Sequence, residues 1–316
     1  MEMPDLKAMV ENRRDRRQAG AALLLGVGVL LMFTYLMPHP KPAAPAVTAA
    51  TSTPPDAFAS VPIQAHAAIV YDIPSGQVLY AKNADAQLPL ASLTKLLTMY
   101  AAVKAMPADA TVTITPTAIA QDGDYGLAVG EQFAFSDLAR FALVGSSNDA
   151  AEAIVEAAAS QKAVSDQSLL ASAAAATGLS QTYAMNGTGL DLSTTEAGAY
   201  GSAHDVALLA SAFLQAAPDL ARATIDTSVT VRDSSGATHT LPNTNQDVPH
   251  LPRLLLSKTG YTDLAGGNLV VIYDAGINHP VAIAVLGSTE DARFTDVDAL
   301  VAATEAHFAG TLASAR

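Results

Sequence analysis

The spacing of apolar residues changes along the chain, from a strand-like period at both ends to a helical period in the middle. Strands are predicted at residues 67–71, 77–80, 228–232, 238–241, 254–257, 268–273 and 280–286, with the first pair joined as a hairpin around Pro74-Ser75-Gly76. Helices are predicted at residues 92–105, 136–144, 149–159, 165–176, 203–214 and 291–309. This order predicts an α+β fold, a mostly antiparallel sheet with flanking helices and an inserted helical lobe.

An apolar block at residues 19–37 carries no charged residue and is long enough, as a helix, to cross a bilayer. Arg13, Arg14, Arg16 and Arg17 precede the block, and only Lys41 follows it before Lys82. This asymmetry places the N-terminus in the cytoplasm. The alternative is a cleaved signal peptide, because Ala44-Pro45-Ala46 has the A-x-A form, although signal cores are usually about 7–15 residues long. We therefore predict a cytoplasmic basic tail at 1–18 and an uncleaved transmembrane anchor at 19–37.

Residues 38–57 are rich in Pro, Ala and Thr, and six of them are proline. Such a segment cannot build a core and behaves as a semi-rigid spacer. We therefore predict that residues 58–316 form the folded domain, held outside the cytoplasm by a single-pass anchor.

Composition narrows the possible chemistry. The formal net charge is −13, which argues against a nucleic-acid partner, since phosphate binding needs a clustered basic surface. There is no cysteine, which excludes disulfides, thiolate catalysis and Cys-ligated metals. The histidines form no H-x-x-x-H pair, the sequence Gly187-Thr188-Gly189 lacks the third glycine of a dinucleotide motif, and no G-x-S-x-G is present. We predict no metal and no cofactor.

Three short motifs occur in order along the chain. They are Ser92-Leu93-Thr94-Lys95, Ser146-Ser147-Asn148 and Lys258-Thr259-Gly260. Each is weak alone, but together they are the signature set of penicillin-interacting acyl-transfer enzymes. Three in this order, each in the expected structural context, make a chance match improbable.

The first two motifs suit nucleophilic catalysis. Ser92 and Lys95 are three residues apart and share one face of a helix. A serine hydroxyl needs a base, and a lysine serves only if its pKa falls well below the usual value of about 10.4. Burial and a second cation, Lys258, would both lower that pKa. Asn148 would orient Lys95 and a substrate amide, and Ser146 would relay a proton to the leaving amine.

The third motif suits the binding of an anion. Lys258 and Thr259 lie on a predicted strand, where they could bind an anionic substrate terminus, and Gly260 leaves room for substrate. Structural roles remain possible: Ser92 or Asn148 as a helix cap, and Lys258 as a solvated strand residue. Ser147 and Asp149 are expected to be structural.

Stretches well beyond the motifs resemble one family. YDIPSGQVLYAKNADAQLPLASLTKLLT, DYGLAVGEQFAFSDLARFALVGSSNDAAEAI, MNGTGLD, SKTGYTDLAGGNLVV and ARFTDVDAL are similar to the D-alanyl-D-alanine carboxypeptidases, the low-molecular-mass penicillin-binding proteins. The resemblance covers roughly residues 61 to 309 and implies a β-lactamase/transpeptidase-like fold. It also implies residence in the bacterial cell membrane, with the catalytic domain outside the cytoplasm.

The resemblance implies catalytic roles for Ser92, Lys95, Ser146 and Asn148, and substrate-binding roles for Lys258, Thr259, Gly260 and Tyr261. Ser92 would attack the penultimate D-Ala carbonyl of a peptidoglycan stem peptide, with Lys95 as general base. Lys258 and Thr259 would hold the terminal carboxylate. The N–H groups of Ser92 and Tyr261 would form the oxyanion hole, and penicillins would acylate the same serine.

The chain departs from the family pattern in places, and alternatives stay open. The middle residue of the second motif is commonly Gly, whereas this chain has Ser147. Many members carry a C-terminal β-domain and an anchor helix; we expect the N-terminal anchor to replace that tether. A D,D-endopeptidase that cuts cross-links is one alternative, and a non-catalytic peptidoglycan-binding protein is another. A class A β-lactamase would need an E-x-x-L-N segment, which is missing between the second and third motifs.

Overall fold

A computed structural model describes residues 32, 56–123 and 125–314. The chain divides into two units, Met1–Thr53 and Pro54–Arg316, and the second contains every element described below. The predicted basic tail, the predicted membrane span apart from Met32, and the predicted linker apart from its last two residues lie outside the described residues. Within the described part of the chain, no helix combines the length and apolarity needed to cross a membrane.

The strands are β1 (Ala67–Asp72), β2 (Gln77–Lys82), β3 (Leu88–Pro89), β4 (Thr111–Thr113), β5 (Gln132–Ala134), β6 (Tyr183–Ala184), β7 (Ala199–Gly201), β8 (Ser228–Arg232), β9 (Thr238–Pro242), β10 (Leu254–Thr262), β11 (Gly266–Asp274) and β12 (Pro280–Ser288). The helices are α1 (Thr94–Ala105), α2 (Pro116–Ile119), α3 (Phe135–Val144), α4 (Asn148–Lys162), α5 (Asp166–Ala176), α6 (Ala203–Ala216), α7 (Pro218–Ala223) and α8 (Ala292–Ser314). A 3₁₀ turn at Ala91–Leu93 precedes α1. Strands therefore lie toward both ends of the domain and most helices lie between them, as the α+β prediction requires.

The central sheet has the strand order β10-β11-β12-β1-β2 and is antiparallel throughout. Both faces are apolar because both are covered. Val270 and Ile272 of β11 join the core beneath the helical lobe, whereas Leu269 and Val271 join a second core on the side of α8. Helix α6 packs on the first face and α8 on the second. This arrangement leaves β10 as the edge strand beside the lobe.

The helical lobe is inserted between β2 and β10, and α1 and α4 pack together at its centre. The predicted helices are all present, with ends that differ by a few residues. Very short strands such as β4 and β6 were not predicted, because two or three residues do not establish a period. The predicted strand at 254–257 continues to Thr262, through polar motif residues that interrupt the apolar pattern.

Candidate active site

Ser92 lies in a tight turn at the start of α1. It sits in the 3₁₀ turn, rather than within an α-helix as the spacing predicts, and its side chain is half-buried. The preceding residue, Ala91, has a φ of +48°, in the left-handed region that non-glycine residues rarely adopt. Gly189 approaches so closely that a Cβ there would overlap the Ala91 carbonyl oxygen. The packing around Ala91, including the close approach of Gly189, holds this strained conformation next to Ser92.

Lys95 is completely buried beneath Ser92. Its Nζ lies 2.8 Å from Ser92 Oγ, 2.7 Å from Asn148 Oδ1 and 2.8 Å from the backbone oxygen of Thr188. All three acceptors are neutral oxygens, and burial lowers the pKa of Lys95 to about 7. A neutral amine can donate to Asn148 and Thr188 while its lone pair faces the Ser92 hydroxyl.

The amide of Asn148 is held in one orientation. Its Oδ1 accepts from Lys95, and its Nδ2 donates to Asp122 O at 2.7 Å and to Tyr125 Oη at 3.1 Å. The helix-cap role is taken instead by Ser147, whose Oγ accepts from the N–H of Ala150 at 3.1 Å. The structural role expected for Ser147 is therefore confirmed, and Asn148 is free to contact Lys95.

The departure from the family pattern at Ser147 does not strain the loop. Ser147 has a φ of −59°, which any residue adopts. The left-handed residue of this loop is Ser146, with a φ of +59°. That conformation places its hydroxyl 2.8 Å from Lys258 Nζ, which donates to it.

Lys258 joins the third motif to the second. It is 1% exposed, so the alternative of a solvated strand lysine is wrong. Its Nζ donates to Ser146 Oγ and, at 2.9 Å, to the backbone oxygen of Thr259. Burial, followed by the charges of Lys95 and Arg293, holds the pKa of Lys258 well below its usual range.

The causes of the two lysine pKa shifts differ from the sequence-based expectation. We expected the charge of Lys258 to help lower the pKa of Lys95, but the cause at Lys95 is burial. Repulsion between the two ammonium groups adds to burial at Lys258 instead. The site therefore disfavours the state in which both lysines are charged.

Gly260 brings the edge strand against the nucleophile turn. A Cβ at this position would lie 2.9 Å from Leu90 O and 3.2 Å from Ser92 N, closer than most side chains tolerate. Tyr261, the next residue, is 46% exposed. Strand β10 pairs with β11 on one side only, so no further strand covers its other edge, where Gly260 lies close to Ser92.

Several groups in the site were not predicted. The backbone oxygen of Thr188 accepts from Lys95. The backbone oxygen of Asp122 and the hydroxyl of Tyr125 both accept from Asn148. Arg293, in α8, is 7% exposed and donates from Nη1 to Gly260 O at 2.9 Å. A backbone acceptor has no side-chain signal in the sequence, and nothing along the chain shows that Arg293 reaches β10.

Space for a ligand lies next to these groups. A cavity of about 890 Å³ adjoins Tyr261 and is lined by residues 120–122, 186, 190–194 and 261–264. Within the described residues, no group of three or more His, Asp or Glu side chains is arranged to hold a metal ion. The cavity thus begins at Tyr261, one residue beyond the third motif, and does not include Ser92 or Lys95 in its lining.

Comparison with known proteins identifies the family to which this chain belongs. The D-alanyl-D-alanine carboxypeptidase family matches residues 49–290, and the chain belongs to that family. D-alanyl-D-alanine carboxypeptidase DacF of Bacillus subtilis (strain 168) is 28% identical over 242 residues, covering 74% of this chain and 60% of DacF. The chain thus spans about three fifths of the length of this curated relative.

Solved structures confirm the predicted transpeptidase-like fold. Penicillin-binding protein D2 from Listeria monocytogenes, in its ampicillin-bound form, has a TM-score of 0.64 and 26% identity, covering 78% of this chain and 98% of that chain. A mutant of the Streptomyces K15 DD-transpeptidase has a TM-score of 0.67 and 24% identity, covering 78% of this chain and 99% of that one. The likeness extends over both the sheet and the inserted lobe.

Proposed function

We propose that this chain is a serine D,D-carboxypeptidase that removes the terminal D-Ala from peptidoglycan stem peptides. The observation that carries the proposal is the 2.8 Å contact between Lys95 Nζ and Ser92 Oγ, at a lysine whose pKa burial lowers to about 7. Such an amine is half neutral near pH 7 and can take the serine proton. Family membership supports the substrate class.

In the acylation step, Ser92 Oγ attacks the carbonyl carbon of the penultimate D-Ala while Lys95 Nζ takes the hydroxyl proton. The oxyanion is stabilised by the N–H groups of Ser92 and Tyr261, at the helix start and on the edge strand. The peptide C–N bond breaks as Ser146 relays a proton to the leaving amine. An acyl-enzyme on Ser92 and free D-Ala result.

In the deacylation step, water replaces the amine. Lys95 takes a proton from the water, the hydroxide attacks the ester carbon, and the proton returns to Ser92 Oγ. Asn148 keeps Lys95 aimed at Ser92 throughout, because its own amide is fixed by Asp122 and Tyr125. The product is the peptide shortened by one residue.

Lys258 and Thr259 are the groups that we assign to the terminal carboxylate. Lys258 Nζ lies beside both Ser146 and Thr259, where it can donate to an anionic group of the substrate. We expect Lys258→Ala to weaken turnover of a free-acid peptide far more than turnover of the same peptide amidated at its C-terminus. Equal loss on the two peptides would contradict this role. Gly260 and Tyr261 complete the substrate-binding wall.

β-Lactams are proposed to acylate Ser92, since the Listeria relative is recorded in an ampicillin-bound form. The N-terminal pattern of four arginines and an apolar block supports a single-pass anchor at residues 19–37, with the peptidase domain at 58–316 outside the cytoplasm. Membrane fractionation of the full chain tests this placement. A mature protein whose sequence starts at Val47 would show cleavage instead.

The deciding experiment uses the full-length chain with a mixture of monomeric pentapeptide and cross-linked muropeptides, and reads the products by mass. Loss of one alanine from the monomers, abolished in Ser92→Ala and retained in the surface variant Ser172→Ala, supports the carboxypeptidase. Cleaved cross-links with intact pentapeptides would make the chain a D,D-endopeptidase. No change in either substrate would favour a non-catalytic peptidoglycan-binding protein.

A further inference from the structure

A pair of threonine hydroxyls joins the third motif to a segment that none of the motifs includes. Thr244 Oγ1 lies 2.6 Å from Thr259 Oγ1, the separation of a strong O–H···O hydrogen bond. Thr259 is almost entirely buried, whereas Thr244 is half-buried. Thr244 therefore contacts a proposed substrate-binding residue directly.

The segment around Thr244 is fixed between the second and third motifs. The N–H of Thr244 donates to Val144 O at 3.1 Å, at the end of α3 and just before Ser146. The next residue, Asn245, is buried and donates from Nδ2 to Ser257 Oγ of β10 at 2.6 Å. Because the Thr244 backbone N–H and the side chain of its neighbour Asn245 are both held, the Thr244 hydroxyl has little freedom to leave Thr259.

The basic side chains near this pair of hydroxyls favour the binding of an anion. Lys258 Nζ donates to Thr259 O at 2.9 Å and to Ser146 Oγ at 2.8 Å. Arg293 donates to the neighbouring Gly260 O. A hydroxyl beside two cationic side chains contributes most when its hydrogen points at the same negative charge.

We propose that Thr244 is a positioning residue for the terminal carboxylate of the substrate, acting through the hydroxyl of Thr259. The inference rests on the proposed carboxypeptidase function, since that function supplies a substrate with a free carboxylate.

Two hydrogen-bonded hydroxyls can arrange their hydrogens in two ways, because each has one to donate. When Thr244 donates to Thr259, the hydrogen of Thr259 remains free to bind a carboxylate. When Thr259 donates to Thr244, Thr259 presents only lone pairs, which an anion avoids. A carboxylate therefore selects the first arrangement. An amidated terminus can both accept and donate, so it depends much less on that choice.

The test compares the steady-state kinetics of the full-length chain on a D-Ala-D-Ala peptide and on its C-terminal amide. Thr244→Val removes the hydroxyl at nearly constant volume, and Thr244→Ser restores a hydroxyl. For Thr244→Val we expect KM for the free acid to rise by about 3- to 10-fold, as for one lost hydrogen bond, with kcat within about twofold. KM for the amide should stay unchanged, and Thr244→Ser should resemble the wild type.

The chain offers a matched control in the exposed hairpin β8–β9, where Thr230 and Thr240 hydroxyls lie 2.8 Å apart. Thr240→Val should leave KM and kcat unchanged for both peptides. Three results would overturn the inference and show that the bond is only structural. In Thr244→Val, KM could rise equally for the free acid and the amide, or kcat could fall for both. Alternatively, Thr244→Ser could fail to restore the wild-type KM for the free acid.

The two proposals fail in different ways. A wild type that turns over neither peptide, or turns over both equally, overturns the proposed function or its carboxylate site. A wild type that prefers the free acid, with the same preference kept in Thr244→Val, overturns only the role of Thr244. If Thr244→Val does not fold, as judged by circular dichroism and its melting temperature, the same comparison is made with Thr244→Ala.

Discussion

Helix α4 places Asn148 against the buried Lys95 and, one turn further, carries the buried Glu152, and these two ionisable groups differ in what surrounds them. At the start of α4, Asn148 contacts Lys95, whose amine has three oxygen acceptors. One turn further, Glu152 is 9% exposed and its Oε2 is buried without a hydrogen-bond partner. Burial moves both pKa values to about 7, from opposite directions.

The comparison shows that a shifted pKa alone does not make a reactive group. Burial, followed by the charges of Glu156 and Asp166, raises the pKa of Glu152. Lys95 instead touches the hydroxyl of a half-buried serine, whereas the buried Oε2 of Glu152 has no hydrogen-bond partner. Desolvation of Lys95 therefore leaves its amine beside a hydroxyl that a neutral amine can deprotonate, and desolvation of Glu152 adds only a cost in stability.

Replacing the buried amine should have the largest effect. In Lys95→Met, acylation of Ser92 by a fluorescent penicillin should slow by about 10²- to 10⁴-fold, because the general base is gone. The melting temperature should fall by only about a few degrees, because the removed desolvation cost of the amine offsets part of the cost of leaving Asn148 Oδ1 and Thr188 O without a donor. Lys104→Met, at an exposed lysine on the same helix, is the control. Acylation within tenfold of wild type would remove Lys95 from the mechanism.

Introducing a carboxylate next to Lys95 would give this lysine an acidic neighbour of the kind that surrounds Glu152. Asn148→Asp places a negative charge beside Lys95 Nζ, which should raise the pKa of Lys95 by about 1–3 units. Acylation at pH 7 should then fall by roughly 10- to 100-fold and recover toward pH 9 or above. The exposed Asn278→Asp serves as control, and a rate profile that does not move toward higher pH would contradict the assignment.

The pH profile of the wild type separates the two groups that titrate near pH 7. Lys95 acts as a base only when neutral, so the acylation rate should rise about tenfold per unit below pH 7 and level off above it. Glu152→Gln should keep this midpoint. A midpoint that disappears in Glu152→Gln would show that the carboxylate, rather than the lysine, controls the rate.

The smallest expected effect is on stability. The pKa of Glu152 is higher in the folded chain than in the unfolded one, so the folded state binds the extra proton. Glu152 therefore costs increasing stability as pH rises from about 4.3 through 7. Glu152→Gln should raise the melting temperature by about 2–4 °C at pH 8 and by little at pH 4. Glu196→Gln, at an exposed position, should change neither; an equal gain at both pH values would point to packing instead.

Much of the site could be predicted from the chain because its chemistry is local. Ser92 and Lys95 are three residues apart, and the order of the motifs indicates which groups meet. The long helices and strands carry clear periods, so the α+β fold was predictable as well. The 3₁₀ turn at Ser92 was not, since its backbone depends on Gly189, far along the chain.

Other features depended on packing alone. Thr188 O reaches Lys95 across 93 residues of sequence, and Arg293 reaches Gly260 from the closing helix. Thr244, Glu152 and Tyr125 have no motif that marks them. These contacts arise where loops and helices from separate parts of the chain meet.

The sequence by itself determined which reactive groups the chain carries and the order in which they occur. The tertiary structure decided which of them are buried, what they contact and how their pKa values shift. The physical reason is that desolvation depends on every atom packed around a charge. Lys95 and the exposed Lys104 lie on the same helix, yet the fold buries only Lys95 and places it against the Ser92 hydroxyl.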